Sequence, residues 1–189
     1  MRIGISGTHC CGKSTLAKSI AEKYPAPFIT KVADKFSKTD RTSLETQYDI
    51  LKALIREEKK NLHFINDRTV IDALAYFNYR YRLGEKNSIT APIYGKYMNT
   101  FIGYIQTKPY DLIIYVDDAL PIEDNGTRDL ENNQNEIWEN IDTMLPFYSD
   151  MFSIPYIKVR GATHLRMKKI DKAVKNIYSQ KRVDDFVTA

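Results

Sequence analysis

A glycine-rich stretch near the start of the chain has residue types and a spacing that suit phosphate binding. Gly7 is followed by four residues and then by Gly12, Lys13 and Ser14, which is the pattern G-x-x-x-x-G-K-[ST]. In this pattern the glycines let the backbone curl so that N–H groups face phosphate oxygens, and the following helix adds its positive N-terminal end. The lysine reaches the β- and γ-phosphates, and the serine hydroxyl joins a Mg²⁺ shell. The motif therefore predicts the binding of ATP with Mg²⁺.

The same loop holds two adjacent cysteines, at the third and fourth variable positions of the motif. We interpret Cys10 and Cys11 as small residues that fill a loop whose backbone does the binding. A redox switch is the alternative, because a thiol close to a lysine and to a helix N-terminus can have a lowered pKa. The predicted nucleotide contacts of the loop are Gly7, Thr8, His9, Cys10, Cys11, Gly12, Lys13, Ser14 and Thr15.

A second group of candidate residues follows an apolar run in the first third of the chain. The run LHFIND, at 62–67, predicts a strand whose C-terminal end carries Asp67 and Arg68. In an open parallel sheet, ligands bind beyond this end of the strands. There Asp67 would hold Mg²⁺ or accept the proton of an acceptor hydroxyl, and Arg68 would bind an anionic acceptor. The alternative is a helix cap at Asp67 with a solvated Arg68.

Four further residues lie at the ends of predicted strands or in a predicted loop, and Asp34 is the weaker candidate among them. Asp34, at the end of a predicted second strand, is an acceptor-binding candidate, with a surface turn as the alternative. Asp117 and Asp118 end a fourth predicted strand, and we expect them to lead into the following loop rather than approach the site. That loop, 120–133, contains an Asn-Gly turn and predicts a lid that carries Arg128 over the transferring phosphoryl group. An ordinary solvated loop is the alternative.

Aromatic residues and arginines are interleaved in the stretch YFNYRYR at 76–82. As a site, the stretch would stack a base and hold a phosphate. As structure, Leu74, Phe77 and Tyr81 form one buried face of a helix and the arginines are solvated. We favour the structural interpretation.

Apolar runs alternate with helical patterns along the whole chain. Buried strands are predicted at 2–7, 27–34, 62–67, 111–118 and 156–161. Helices are predicted at 13–24, 43–61, 69–83, 93–107, 135–148 and 164–180, with Pro146 ending the fifth. This alternation is typical of a parallel sheet with helices on both faces. We expect a single α/β domain over 1–189, with a helical insert on the acceptor side at about 84–107 and a lid at about 120–133.

The composition narrows the class of protein. Hydrophobic residues make up 43% and charged residues 28% of the chain, and the net charge of +4 suits anionic small molecules better than nucleic acid. No apolar run reaches the about 18 residues of a membrane span, and no secretory signal precedes the first strand. We therefore expect a cytoplasmic protein, of a bacterium or of a host cell if a phage encodes it. Two adjacent cysteines and three scattered histidines match neither a disulfide framework nor a zinc site.

Four segments carry a resemblance to a known family. They are RIGISGTHCCGKSTL, PFITKVAD, INDRTVIDALAY and EDNGTRD, in this order. Together they resemble the AAA-type P-loop kinases related to nicotinamide-riboside kinase, over about residues 2–165. That group includes small nucleoside kinases and phage enzymes that phosphorylate hydroxymethyluracil in DNA. The spacing of Asp67, Arg68 and Tyr76 is also similar to that in thymidylate kinases.

The resemblance implies a P-loop kinase fold with a five-stranded parallel core and Mg-ATP as the phosphoryl donor. It implies that Asp67 is the carboxylate linked to the metal or acting as the base. It also implies that Arg128 is the lid arginine and that Thr163 lies near the adenine. Ser14 and Asp67 are the expected metal residues.

Three functions stay open from the sequence. The first is an ATP- and Mg²⁺-dependent kinase of a nucleoside or nucleoside monophosphate, with Asp34, Arg68 and Tyr76 binding the acceptor. The second is a kinase that acts on hydroxymethyluracil bases in phage DNA, which needs base flipping and phosphate contacts. The third is a P-loop ATPase or nucleotide-dependent switch without a small acceptor. A homo-oligomer is compatible with each.

Overall fold

Strands and helices alternate through the described part of the chain. The computed structural model describes residues 1–8, 11–37, 41, 43–84, 90–118 and 134–187. The strands are β1 (Arg2–Ser6), β2 (Phe28–Ile29), β3 (Phe64–Asn66), β4 (Leu112–Val116) and β5 (Tyr156–Val159). The helices are α1 (Lys13–Lys23), α2 (Leu44–Lys59), α3 (Val70–Leu83), α4 (Thr90–Ile105), α5 (Gln134–Phe152) and α6 (Thr163–Val187).

The strands form one parallel sheet in the order β2-β3-β1-β4-β5. The central strand β1 pairs Ile3 with Ile65 on one side and with Leu112 on the other. Because the strands are parallel, their carboxyl ends meet at one edge, and the chain order reverses at β1, where such sheets bind ligands. The prediction of a five-stranded parallel α/β sheet is confirmed.

Two hydrophobic cores cover the two faces of the sheet. Successive residues of β4 point to opposite faces, so Ile113 and Tyr115 belong to one core and Ile114 and Val116 to the other. Helices α2, α3, α4 and α5 complete the first core, and α1 and α6 complete the second. Burial on both faces explains why the strands form continuous apolar runs in the sequence.

The second strand is much shorter than the predicted 27–34. β2 spans two residues and pairs only with β3, at the edge of the sheet. Lys31 has a φ of 55°, in the left-handed region, which ends the extended conformation, and a short 3₁₀ helix follows at Ala33–Lys35. The predicted length was wrong because an apolar pattern does not reveal this turn, and edge strands are commonly short.

The fifth helix continues past the proline at which the sequence predicts its end. α5 runs to Phe152 with Pro146 inside it. Ile137, Ile141 and Leu145 are fully buried at helical spacing. Their packing offsets the about 3 kcal/mol that a proline costs inside a helix.

The predicted insert is described in part. α4 lies within the predicted range 84–107 and packs against α2 and α3. Residues 85–89 lie outside the described part, and so does the whole predicted lid at 120–133. Within the described ranges, no helix is both long enough and apolar enough to cross a membrane.

Candidate functional site

The loop between β1 and α1 depends on its two motif glycines. Gly7 has a φ of 145°, and an added Cβ would lie 2.7 Å from the Val116 carbonyl oxygen and 2.8 Å from the Cys11 sulfur. Gly12 has a φ of 84°, in the left-handed region that favours glycine. A side chain at Gly7 would therefore displace the backbone of β4, and one at Gly12 would be strained.

The motif lysine opens α1 and folds back over the loop. The Lys13 ammonium donates a hydrogen bond to the Thr8 carbonyl oxygen and lies 3.7 Å from the Cys11 sulfur. The Cys11 thiol donates to the same carbonyl oxygen at 3.1 Å, and its side chain is fully buried. This packing supports the interpretation of Cys11 as a residue that fills the loop. His9 and Cys10 lie outside the described residues.

Asp67 accepts hydrogen bonds from hydroxyl groups of two other segments. Ser14 Oγ, in the first turn of α1, donates to Asp67 Oδ2 at 3.1 Å. Thr30 Oγ1, directly after β2, donates to the same oxygen at 2.6 Å. The fold thus brings together the two expected metal residues. Thr30 belongs to no motif, and in the sequence it lies in the middle of the predicted strand at 27–34, where nothing marks it as a site residue.

A buried aspartate of α3 fixes the start of the phosphate-binding loop. Asp72 Oδ1 accepts hydrogen bonds from the Ser6 hydroxyl at 2.8 Å and from the Gly7 amide at 3.0 Å. Its Oδ2 accepts from the Thr69 amide and hydroxyl, each at 2.8 Å, which completes a capping box at the start of α3. The Gly7 amide is therefore directed at protein rather than at phosphate. In the sequence, the spacing T-x-x-D from Thr69 to Asp72 is the signal that could have indicated this cap.

Two of the acceptor candidates, Arg68 and Tyr76, contact each other. The Arg68 guanidinium lies over the Tyr76 ring, 4.8 Å from its centroid. The Arg68 amide donates to Asn66 Oδ1 at 3.2 Å, which shapes the turn after β3. Burial raises the pKa of Tyr97 in α4 well above its usual range, and the charge of Arg68 opposes this shift. A cation over an aromatic ring contributes about 0.5–2 kcal/mol, so Tyr76 helps to hold Arg68 in place.

The other aromatic residues of this part of α3 face the protein interior. Phe77 stacks on Tyr97 with ring centroids 3.8 Å apart, and Tyr81 packs against Tyr94 at 4.6 Å. Leu74 and Phe77 are fully buried. The predicted buried face is confirmed for Leu74 and Phe77, whereas Tyr81 is only partly buried and Arg82 pairs with Glu136 rather than with solvent alone.

A buried carboxyl group lies beneath the turn between β3 and α3. Glu58 of α2 accepts a hydrogen bond from the side-chain amide of Asn66 at 2.7 Å. It also accepts hydrogen bonds from the Tyr104 and Tyr110 hydroxyls, at 2.7 Å and 2.9 Å. The Tyr110 hydroxyl in turn accepts from the Val70 amide at 2.9 Å. Burial raises the pKa of Glu58 to about 7, and the three hydrogen bonds oppose the rise. This group supports both ends of the turn, and the sequence gives no signal for it.

The two aspartates after β4 do more than lead into the following loop. Asp117 is buried and accepts a hydrogen bond from Arg160 Nε at 2.8 Å. Asp118 Oδ2 accepts from the Gly161 amide and from Arg166 Nη2, each at 2.7 Å. Together they anchor the connection between β5 and α6 to the end of β4. Arg166 was not a candidate in the sequence, where it belongs to a basic helix pattern.

Three predicted site residues in the described part of the chain remain apart from these contacts. The structure places Asp34 in a surface 3₁₀ turn, where its half-exposed carboxylate pairs with Arg41 at 3.4 Å. This position matches the surface-turn alternative rather than a contact with Asp67. Thr15 and Thr163 are exposed, in the first turns of α1 and α6. Arg128 lies outside the described residues.

The donor set at Ser14 and Asp67 fits magnesium. In the described part of the chain, no group of three His, Cys, Asp or Glu side chains could hold a metal ion by itself. Mg²⁺ usually takes only one or two carboxylates and completes its shell with water and substrate phosphates. One hydroxyl and one carboxylate beside a phosphate-binding loop meet that requirement.

The sequence matches a known protein family over a range that includes these site residues. The family model AAA_28, described as "AAA domain", matches residues 2–166. The chain belongs to this family. Dephospho-CoA kinase CAB5 of Saccharomyces cerevisiae is 28% identical over 114 residues, which are 59% of this chain and 46% of the relative. The chain therefore spans about half the length of the curated relative that it matches.

Solved structures show the same fold. Deoxyadenosine kinase from M. mycoides, with the products dCMP and a flexible dCDP bound, superposes with a TM-score of 0.63. That pair is 18% identical, over 94% of this chain and 100% of the kinase. NadR protein in complex with NAD and AMP-PNP gives a TM-score of 0.69 at 16% identity, over 93% of this chain and 48% of NadR. The prediction of an AAA-type P-loop kinase fold is confirmed.

Proposed function

We propose that this protein is a kinase that uses ATP and Mg²⁺ to phosphorylate a hydroxyl or phosphate group of a nucleoside or nucleoside monophosphate. The observation that carries the proposal is the hydrogen bond from Ser14 to Asp67. It joins the phosphate-binding loop to a carboxylate at the carboxyl edge of the sheet, and phosphoryl transfer needs both parts. The kinases among its relatives, and the nucleotides bound to the two similar structures, support the assignment.

The loop and three side chains form the proposed donor site. Lys13 exchanges the Thr8 carbonyl oxygen for oxygens of the β- and γ-phosphates, where its charge stabilises the transition state. Ser14 and Asp67 hold Mg²⁺, which when bound neutralises charge on the phosphates. Thr30 orients the Asp67 carboxylate through its hydrogen bond.

The turn after β3 forms the proposed acceptor side. Arg68 binds an anionic group of the acceptor, and Tyr76 keeps the guanidinium in position. Asp67, next to Arg68 in the same turn, would also orient the acceptor hydroxyl. Arg128 over the phosphates and Thr163 beside the base would complete the site.

A panel of acceptors tests the proposal. ADP formation from Mg-ATP is measured with nucleosides, nucleoside monophosphates, nicotinamide riboside, and duplex DNA that contains hydroxymethyluracil. We expect one small nucleoside or nucleotide to raise ADP formation well above the rate without acceptor. Stimulation by the modified DNA alone would assign a DNA kinase instead. ADP formation that no acceptor changes would assign an ATPase or a switch.

A further inference from the structure

Arg166, in the first turn of α6, joins three segments at the carboxyl edge of the sheet. Its Nη1 donates a hydrogen bond to the Cys11 carbonyl oxygen at 3.1 Å, and its Nη2 donates to Asp118 Oδ2 at 2.7 Å. The same Asp118 oxygen accepts the Gly161 amide at 2.7 Å. The guanidinium therefore connects the phosphate-binding loop to Asp118 after β4, and Asp118 in turn binds the β5–α6 connection.

Arg166 lies close to the backbone of the phosphate-binding loop. A Cβ added to Gly12 would lie 3.1 Å from Arg166 Nη1. Gly12 is the turn residue from which Lys13 and Ser14 follow. Arg166 thus packs against the C-terminal end of the loop.

The guanidinium is almost enclosed by protein. The Arg166 side chain is 8% exposed, whereas that of Arg160, which pairs with the neighbouring aspartate, is 69% exposed. The Nε atom of Arg166 is buried and has no hydrogen-bond partner among the residues that the structure describes. Burying a charge costs free energy even when it is paired, and an exposed pair avoids that cost. A buried polar atom without a partner calls for an explanation beyond stability.

We propose that Arg166 is a positioning residue that holds the phosphate-binding loop in register with the β5–α6 connection. The inference rests on the proposed function, in which phosphates lie on the loop and the base lies beside Thr163. A nucleotide spans both segments, so its affinity depends on their spacing. A triphosphate without a base needs the loop alone, which keeps its own supports from Asp72 and the Cys11 thiol.

Binding measurements with two ligands separate positioning from charge. The ligands are ADP and inorganic tripolyphosphate, each with Mg²⁺, measured by titration calorimetry. For Arg166→Met we expect the Kd of ADP to rise about tenfold, as for the loss of one charge-assisted hydrogen bond. We expect the Kd of tripolyphosphate to change by less than about twofold. Lys168→Met, at an exposed position of the same helix, is the control and should bind both ligands as wild type does.

The conservative variant decides between the two explanations. Arg166→Lys keeps the charge but cannot bridge two acceptors with a planar fork, so we expect it to weaken ADP binding as the Met variant does. If Arg166→Lys binds ADP as wild type does, or if Arg166→Met raises the Kd of both ligands equally, the effect is one of charge and the proposal is overturned. Unchanged ADP binding by a folded Arg166→Met protein would overturn it as well.

Two further results keep the test decisive. If Arg166→Met does not fold, Arg166→Lys and Asp118→Asn give the same comparison, because the first loses the planar fork that bridges two acceptors and the second loses the carboxylate charge of the pair. If wild-type protein binds neither ligand, the proposed function itself fails, and the inference fails with it. If wild-type protein binds both ligands and the variants bind them with unchanged Kd values, the inference is overturned and the proposed function stands.

Discussion

At the scale of single residues, the candidate site is organised by hydrogen bonds before any substrate binds. Ser14 and Thr30 hold one oxygen of Asp67 from two directions, and Tyr76 lies beneath the Arg68 guanidinium. Groups fixed in this way need little reorganisation during the reaction, which is the main source of electrostatic catalysis. The roles proposed for Asp67 and Arg68 can therefore be tested with small changes of side chain.

Replacing Asp67 with asparagine should impair the metal-dependent step. The amide keeps the shape and an acceptor oxygen for Ser14, but it lacks the charge that binds Mg²⁺. We expect kcat to fall about 10²–10³-fold. We also expect the Mg²⁺ concentration for half-maximal rate to rise about 10–100-fold. Asp49→Asn, at an exposed carboxylate paired with Lys52, is the control. Wild-type kcat and Mg²⁺ dependence in Asp67→Asn would remove Asp67 from the site.

Replacing Arg68 with alanine should weaken binding of the acceptor and leave binding of ATP nearly unchanged. Loss of a bidentate contact with an anionic group should raise the KM of the acceptor about tenfold or more, with the KM of ATP nearly unchanged. Steady-state rates with each substrate varied in turn measure both constants. Arg56→Ala, at an exposed position of α2, is the matched control. A normal acceptor KM in Arg68→Ala would count against an acceptor contact.

Some of these residues could be predicted from the sequence and others could not. The motif at 7–14 is local, and its spacing alone indicates the role of Lys13 and Ser14. Arg166 lies 155 residues beyond its partner Cys11 in the chain. In the sequence it is one of several basic residues on an amphipathic helix, and such residues are usually solvated. Only the parallel sheet, by placing α6 beside α1, brings it to the loop.

At the scale of elements, α2 supports the turn between β3 and α3 through a buried acid. Glu58 is 1% exposed, and its partners Asn66, Tyr104 and Tyr110 are all uncharged. Burial also raises the pKa of both tyrosines, so they keep their protons when Glu58 titrates. Ionisation of Glu58 therefore opposes folding, and its hydrogen bonds offset part of that cost.

This arrangement predicts a pH-dependent loss of stability. Between pH 4.5 and about 7, the unfolded chain has released the Glu58 proton and the native protein still binds it. Stability therefore falls as pH rises through this range, relative to a Glu58→Gln variant that does not titrate. The relative loss should reach about 3 kcal/mol above pH 7. Urea unfolding of both proteins from about pH 4 to pH 8 measures it. A difference between them that stays constant with pH would contradict the raised pKa.

At the scale of the whole molecule, the fold collects residues from most of the chain at one edge of the sheet. Side chains from Ser6 to Arg166 meet there, because every strand is parallel and every connection returns over a face. The alternation of apolar runs and helices was enough to predict this architecture. The strand order and the two-residue length of β2 were not predictable, since they depend on packing and on one left-handed turn at Lys31.

Nucleotide binding should stabilise the whole protein through the loop. A ligand at about 100 times its Kd adds about 2.7 kcal/mol, or about 5–10 °C in Tm for a chain of this size. We expect this shift with Mg-ADP for wild type and little of it for Lys13→Ala. Lys18→Ala, exposed on the same helix, should keep the full shift. Equal shifts for Lys13→Ala and wild type, measured by calorimetry, would place the nucleotide elsewhere.

The fate of the γ-phosphoryl group tests the central claim most directly. Wild-type protein is incubated with Mg²⁺, γ-labelled ATP and the acceptor that stimulates ADP formation, and the labelled products are separated. We predict that label appears on the acceptor in an amount equal to the ADP formed, and that Asp67→Asn transfers almost none. Label released only as inorganic phosphate, with an unlabelled acceptor, would contradict the kinase assignment and show that the protein hydrolyses ATP.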